Sequence, residues 1–135
     1  MPWKTEWFDA GETVLLFQAV HPLDWAEIAE GIQRGQVMIR EKGYVVDVIV
    51  LLEDVKLPGP NILQPMRGLY GGMPRNTGIK VVVSAPTLVQ TFINILTSVM
   101  GGTENFHFVK TLDDARAELE KAQSARGAAQ VGMGA

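Results

Sequence analysis

The side chains with chemistry to offer in this chain are two histidines, three serines, a pair of neighbouring carboxylates and a few dispersed bases. Zinc sites of the helical kind set two imidazoles one turn apart. His21 and His107 are far apart in the chain; the first stands before Pro22 as a helix entry, and the second reads as an outward position on a strand. A serine hydrolase holds its nucleophile in Gly-x-Ser-x-Gly at a sharp strand-to-helix elbow. None of Ser84, Ser98 and Ser124 has those flanks. Ser84 reads as a residue of the cap region where a strand turns into a helix, with an anion held on helix amides as the minor reading. Glu53 and Asp54 are adjacent at a strand end, where alternation points them to opposite faces and disfavours a shared-proton dyad. Arg67, Arg75 and Lys80 would read an anionic partner if they gathered near Pro58 to Asn61, but on a mildly acidic chain dispersed bases are a solvated surface. The expectation is no catalytic residue, no metal and no cofactor, and therefore not an enzyme.

Composition narrows the classes further. The chain has 135 residues, 47% of them hydrophobic, enough for one core and too few for two ordinary domains. Twelve basic and fifteen acidic residues give a net charge of −3 with no block of either sign, so nucleic acid and anionic membranes are not expected partners. The absence of cysteine removes disulfides, thiolate nucleophiles and thiolate metal sites, and fits a reducing compartment. No stretch reaches the roughly 20 apolar residues of a membrane span, and Met1 to Trp7 lacks a signal-peptide core. These features predict a cytoplasmic protein.

The elements that must position these side chains follow from periodicity and punctuation. Trp3 to Phe8 and Thr13 to Val20 read as two strands of an opening hairpin. Asp24, with Glu27 three residues on, predicts a capped helix whose stripe includes Trp25, Ile28, Ala29, Ile32 and Ile39, with Gly43 as its stop. Gly31 and Gly35 inside it imply either irregularity or close packing. Tyr44 to Leu52 is an apolar run of the buried parallel-strand type, ending in acids and Pro58-Gly59-Pro60. A weak helix from about Gln64, stopped by Gly71-Gly72, leads through the Gly-rich stretch Gly68 to Gly78, which has neither dinucleotide nor P-loop spacing. Ile79 to Ser84 is a further strand, Thr87 to Met100 a helix, Phe106 to Lys110 a short strand. Thr111 and Asp114 then form a capping box that opens a last helix. Residues 1–125 are expected to form one domain and 126–135 a disordered tail. The predicted class is α/β, with a mostly parallel central sheet, an N-terminal β-hairpin and helices between the strands.

The helix at Thr87 to Met100 is apolar over more than one stripe. Leu88, Val89, Phe92, Ile93, Ile95, Leu96, Val99 and Met100 together exceed the roughly 100° face a surface helix needs, so the remainder, with Phe92, Ile95, Leu96 and Val99 among the face, requires a cover. The cover is either Met66, Leu69 and Tyr70 of the preceding segment together with a second copy of the chain, or a small apolar, lipid-like ligand held between sheet and helices. The same residues are thus the candidate face for self-association or for a carried ligand.

The order of elements and three strings resemble the STAS domain, the fold of the bacterial anti-sigma-factor antagonists, and more closely the small SpoIIAA-like proteins. The strings are the opening hairpin, Asp47-Val-Ile-Val-Leu-Leu-Glu-Asp-Val55 where the family has an Asp-Leu-Ser-Gly-Val strand end, and Phe108-Val-Lys-Thr-Leu-Asp-Asp-Ala115. The likeness spans residues 3 to 122. It implies a SpoIIAA-like single domain acting as a non-catalytic interaction module that binds a protein partner, and a homodimer fits the apolar helix. In the antagonists the loop after this strand reads Asp-Ser-Ser-Gly and a serine there is phosphorylated. The matching positions here are Gly59, Pro60 and Asn61, followed by Ile62, and none of the three accepts phosphate. What the resemblance carries over is a partner-binding role for the loop Leu57, Pro58, Gly59, Pro60 and Asn61 and the helices after it.

Overall fold

A computed structural model of the chain describes residues 3–19, 25–52, 74–84 and 106–134, with Thr87, Gln90, Thr91 and Asn94. Five strands form one mixed sheet: β1 (Trp3–Trp7), β2 (Val14–Ala19), β3 (Val46–Leu51), β4 (Thr77–Val83) and β5 (Phe106–Val109). Their order in the sheet is the order in the chain. β1 is antiparallel to β2, as the hairpin pattern predicts, and β2 to β5 are parallel. Two helices are described along their length, α1 (Trp25–Arg40) and α2 (Leu112–Gly134). The expected disordered tail from residue 126 thus has helical backbone through Gly134.

Alternation along the strands supplies two apolar faces. Leu15, Phe17, Val46, Val48 and Val82 face α1, where Ile28 and Ile39 meet them. Leu16, Ile49, Val81 and Val83 turn the other way, toward Ala115 and Leu119 of α2. Leu15, Ile39, Val46, Ile49, Val81 and Val83 have no accessible surface at all. Each contributes on the order of 1.5–3 kcal/mol by leaving water. Tyr44 and Val45, which the apolar run includes in the strand, precede β3 and are exposed.

Gly35 is a packing glycine. α1 is continuous through it, and a Cβ there would lie 2.3 Å from the Phe17 ring. The glycine lets α1 sit directly on β2. A second tie runs to β1, where Thr5 Oγ1 donates to the Gly31 carbonyl at 2.8 Å.

The end of α1 corrects the expected stop. The helix ends at Arg40, Lys42 N donates to Ile39 O, and Gly43 has no atom within 4 Å of a would-be Cβ. Instead Asn76, just before β4, donates its Nδ2 to Ile39 O (2.6 Å), Tyr44 O (3.0 Å) and Lys42 O (3.2 Å). A distant amide thereby satisfies carbonyls that a helix end leaves open. At the other end of the chain, Thr111 behaves as predicted: its Oγ1 accepts from Asp114 N at 3.1 Å, and α2 begins at the next residue.

Candidate functional site

The parallel strands give the sheet a carboxyl rim and an amino rim, and the described polar side chains divide between them. At the carboxyl rim the ends of β3, β4 and β5 are adjacent. Leu52 N donates to Val83 O, and Ser84 N donates to Val109 O. Ser84 has a φ of 59°, the left-handed region that non-glycine residues enter rarely. Its hydroxyl donates to Lys110 O at 2.9 Å. That bond ties two strand ends together and holds Ser84 in its turn. The residues that follow are helical at Thr87, Gln90, Thr91 and Asn94.

At the amino rim the polar residues lock the fold. Asp9, in the β1–β2 turn, accepts from Thr13 N and Val14 N at 2.9 Å each and from Thr13 Oγ1 at 2.5 Å. Burial alone would raise its pKa, but these donors outweigh burial and hold it below the ordinary value of 3.8. A carboxylate with a depressed folded pKa stabilises above its unfolded pKa, and that contribution is lost as pH falls through the folded one. Asp9→Asn should therefore be less stable than wild type at neutral pH by about 1 kcal/mol or less, since the turn is partly solvated. The gap should close on acidification below about pH 4. Urea titrations at a series of pH values check this; a gap that stays constant down to the acid limb would refute it.

Next to this turn, Glu12 has a φ of 58°. Its carbonyl accepts from Tyr44 Oη at 2.9 Å, and its carboxylate meets Lys42 Nζ at the same distance. The Glu12 hydrogen bond raises the Lys42 pKa, and the ammonium also lies 5.1 Å from the centre of the Trp7 ring.

The most heavily bonded polar group of the rim is Asp47. It has no accessible surface, although it stands in the apolar run of β3. Its Oδ1 accepts from Ile79 N (2.9 Å) and Arg126 Nη1 (3.0 Å). Its Oδ2 accepts from Arg126 Nη2 (2.5 Å) and Gln123 Nε2 (3.3 Å). The sheet is shaped for this. Val46 pairs with Thr77 and Val48 with Lys80, so Gly78 and Ile79 together stand opposite Asp47 in a bulge. A Cβ on Gly78 would lie 2.1 Å from Asp47 Oδ1. With two donors on each oxygen, Asp47 is an anchor for α2 rather than a base.

The residues singled out in the sequence fall as follows. Leu57 to Asn61, Met66, Leu69, Tyr70, Phe92, Ile95, Leu96 and Val99 lie outside the described residues, as do His21, Glu53, Asp54 and Arg67. Arg75 is exposed ahead of β4, and Lys80 lies within β4 over the Phe106 ring at 4.8 Å. Arg75 is thus at the amino rim, whereas β3 ends at the opposite rim with Leu51. His107 does not point outward: it faces α2, half-buried, with Nδ1 3.5 Å from Glu118 Oε2. Among the described residues no three His, Asp or Glu side chains are grouped to hold a metal ion. Nor is any described helix long and apolar enough to cross a membrane.

Asp47, Asn76 and Arg126 were not among the candidates. For Asp47 a signal existed, because a lone acid inside Val45-Val46-Asp47-Val48-Ile49 demands a buried partner. Nothing in the local sequence names that partner.

No family model matches the chain, and no curated protein matches it.

Proposed function

We propose that the chain is a non-catalytic, STAS-like protein-interaction module that works as a homodimer. Recognition is assigned to the loop Leu57 to Asn61 and to the segments containing Met66 to Tyr70 and Phe92 to Val99. The observation that supports this reading is the sheet order. Because β3 and β4 are parallel neighbours, joined at their ends by Leu52 N and Val83 O, the segments after Leu52 and after Ser84 leave the same rim side by side. In open α/β sheets that rim is where ligands and partners are met. On this reading the two segments serve one surface, and the left-handed Ser84 stands at the root of the second.

Sedimentation of wild type, Ile95→Glu and Val99→Glu tests the dimer. The wild type should be dimeric and the variants folded monomers, because an unpaired charge is not tolerated in a desolvated interface. A wild type that stays monomeric at high concentration removes the dimer from the proposal. Affinity capture with Leu57 to Asn61 replaced by a Gly-Ser segment of equal length tests the loop; partners that bind both forms equally would refute its role.

A further inference from the structure

Among the residues of α2 whose burial is described, 112–126, the last one fully packed on the sheet is Leu119. Ala115 and Leu119 are buried, whereas Glu120, Lys121, Gln123, Ser124 and Ala125 are exposed and Ala122 is half-buried. Leu119, Gln123 and Arg126 are spaced by four and three residues, so they occupy one face of the helix. On that face the contact changes from apolar to polar, and both polar members reach Asp47.

The receiving site is built largely by the sheet. The β4 bulge aims Ile79 N at Asp47, and the missing side chain of Gly78 leaves the space beside Arg126 Nη1, 3.0 Å from where a Cβ would stand. The Asp47 carboxylate is fully enclosed while the Arg126 side chain is 33% exposed, so the guanidinium enters from the surface into a site open on one side. Its two nitrogens meet the two carboxylate oxygens in the planar fork that a guanidinium offers and an ammonium lacks.

We infer that the amino rim carries a guanidinium receptor made by Asp47 and Ile79 N, and that the half of α2 beyond Leu119 is a clasp fastened into it by Arg126. The clasp opens as a unit while the sheet and the first two turns of α2 stay folded. Over 120–126, the residues of the clasp whose burial is described, what resists opening is the pair of charge-assisted bonds, and the opening that admits Arg126 admits water to Asp47 when it leaves. The site lies on the rim opposite the proposed recognition surface, so the inference does not depend on that proposal.

Native-state hydrogen exchange tests it without any variant. In wild-type protein under sub-denaturing urea, amides of 120–134 should exchange through a smaller opening than those of β2, β3 and β4. Exchange of 120–134 only with global unfolding overturns the clasp. In Arg126→Ala, exchange across 120–134 should rise about tenfold or more and still proceed through an opening of smaller urea dependence than that of the β2 to β4 amides. No rise, or exchange of 120–134 only in the same opening as the β2 to β4 amides, overturns it as well. Methylguanidinium added to Arg126→Ala should shift the Ile79 amide resonance saturably, methylammonium several-fold more weakly, and neither should do so once Asp47→Asn is added. Equal responses to the two cations overturn the receptor.

Discussion

Gly78→Ala should lower the free energy of unfolding by roughly 3 kcal/mol or more, the scale of breaking a buried ion pair. The new methyl group would stand 2.1 Å from Asp47 Oδ1 and 2.9 Å from Val45 Cγ1. Asp47 has no room to yield, because its surface is fully enclosed and both oxygens are held. If the carboxylate rotates away it loses Ile79 N and the fork of Arg126 while remaining buried; if it stays, the bulge in β4 must open. Either route is large against a total stability of about 5–15 kcal/mol for an ordinary domain. Gly43→Ala is the control, since nothing lies within 4 Å of its would-be Cβ. That change should be neutral, or stabilising by about 0.4–1 kcal/mol through the unfolded chain. Urea denaturation of both variants decides the matter: equal midpoints would mean that the approach of Gly78 to Asp47 carries no energy.

Gly35→Ala should also destabilise, by about 1–2 kcal/mol net, although helix propensity argues for the opposite sign. Alanine in a helix interior gains about 1 kcal/mol over glycine. Here its methyl would meet the Phe17 ring at 2.3 and 2.4 Å and Leu15 Cδ2 at 2.9 Å. Both neighbours are core residues, with 3% and 0% exposure, and cannot step aside. Overpacking costs about 1–3 kcal/mol, and at contacts this short the upper part of that range applies and outweighs the propensity gain. The mechanism has a signature in a double variant. Phe17→Leu removes the atoms that clash, so Gly35→Ala added to Phe17→Leu should cost less than Gly35→Ala alone. Additive effects in thermal or urea unfolding would show that the clash is not what the alanine does.

Both substitutions act at places where backbone approaches side chain closely, and the two places support different parts of the molecule. Gly35 fixes the distance of α1 from β2. Gly78 makes room for Asp47 and thereby fastens α2. Between them they hold the helices on the two faces of the sheet, and the strand ends that present the proposed recognition surface are aligned by what remains, the pairing of β3 with β4 and β5.

The amino-acid sequence by itself determined the elements whose cause is local. The hairpin follows from alternating residues on either side of Ala10 and Gly11, the buried strands from the runs at Val46 to Leu51 and Ile79 to Val83, and the start of α2 from the hydroxyl of Thr111 three residues before Asp114. Each is a matter of period or of a cap that reaches three residues, and both are written in consecutive positions. Only the tertiary structure decided how those elements are tied. The end of α1, at Arg40, is held by Asn76, whose amide donates to the carbonyl of Ile39, 37 residues earlier. His107, assigned outward by alternation alone, is half-covered because α2 returns across that side of β5. Asp47 announced a need for a partner by being an acid in an apolar run, but Arg126 stands 79 residues away. Their meeting depends on the bulge that offsets β4 by one residue and on the face of the sheet that α2 crosses. Periodicity specifies which way a side chain points from its own element; which group waits there is set by register and by the packing of elements distant in the chain.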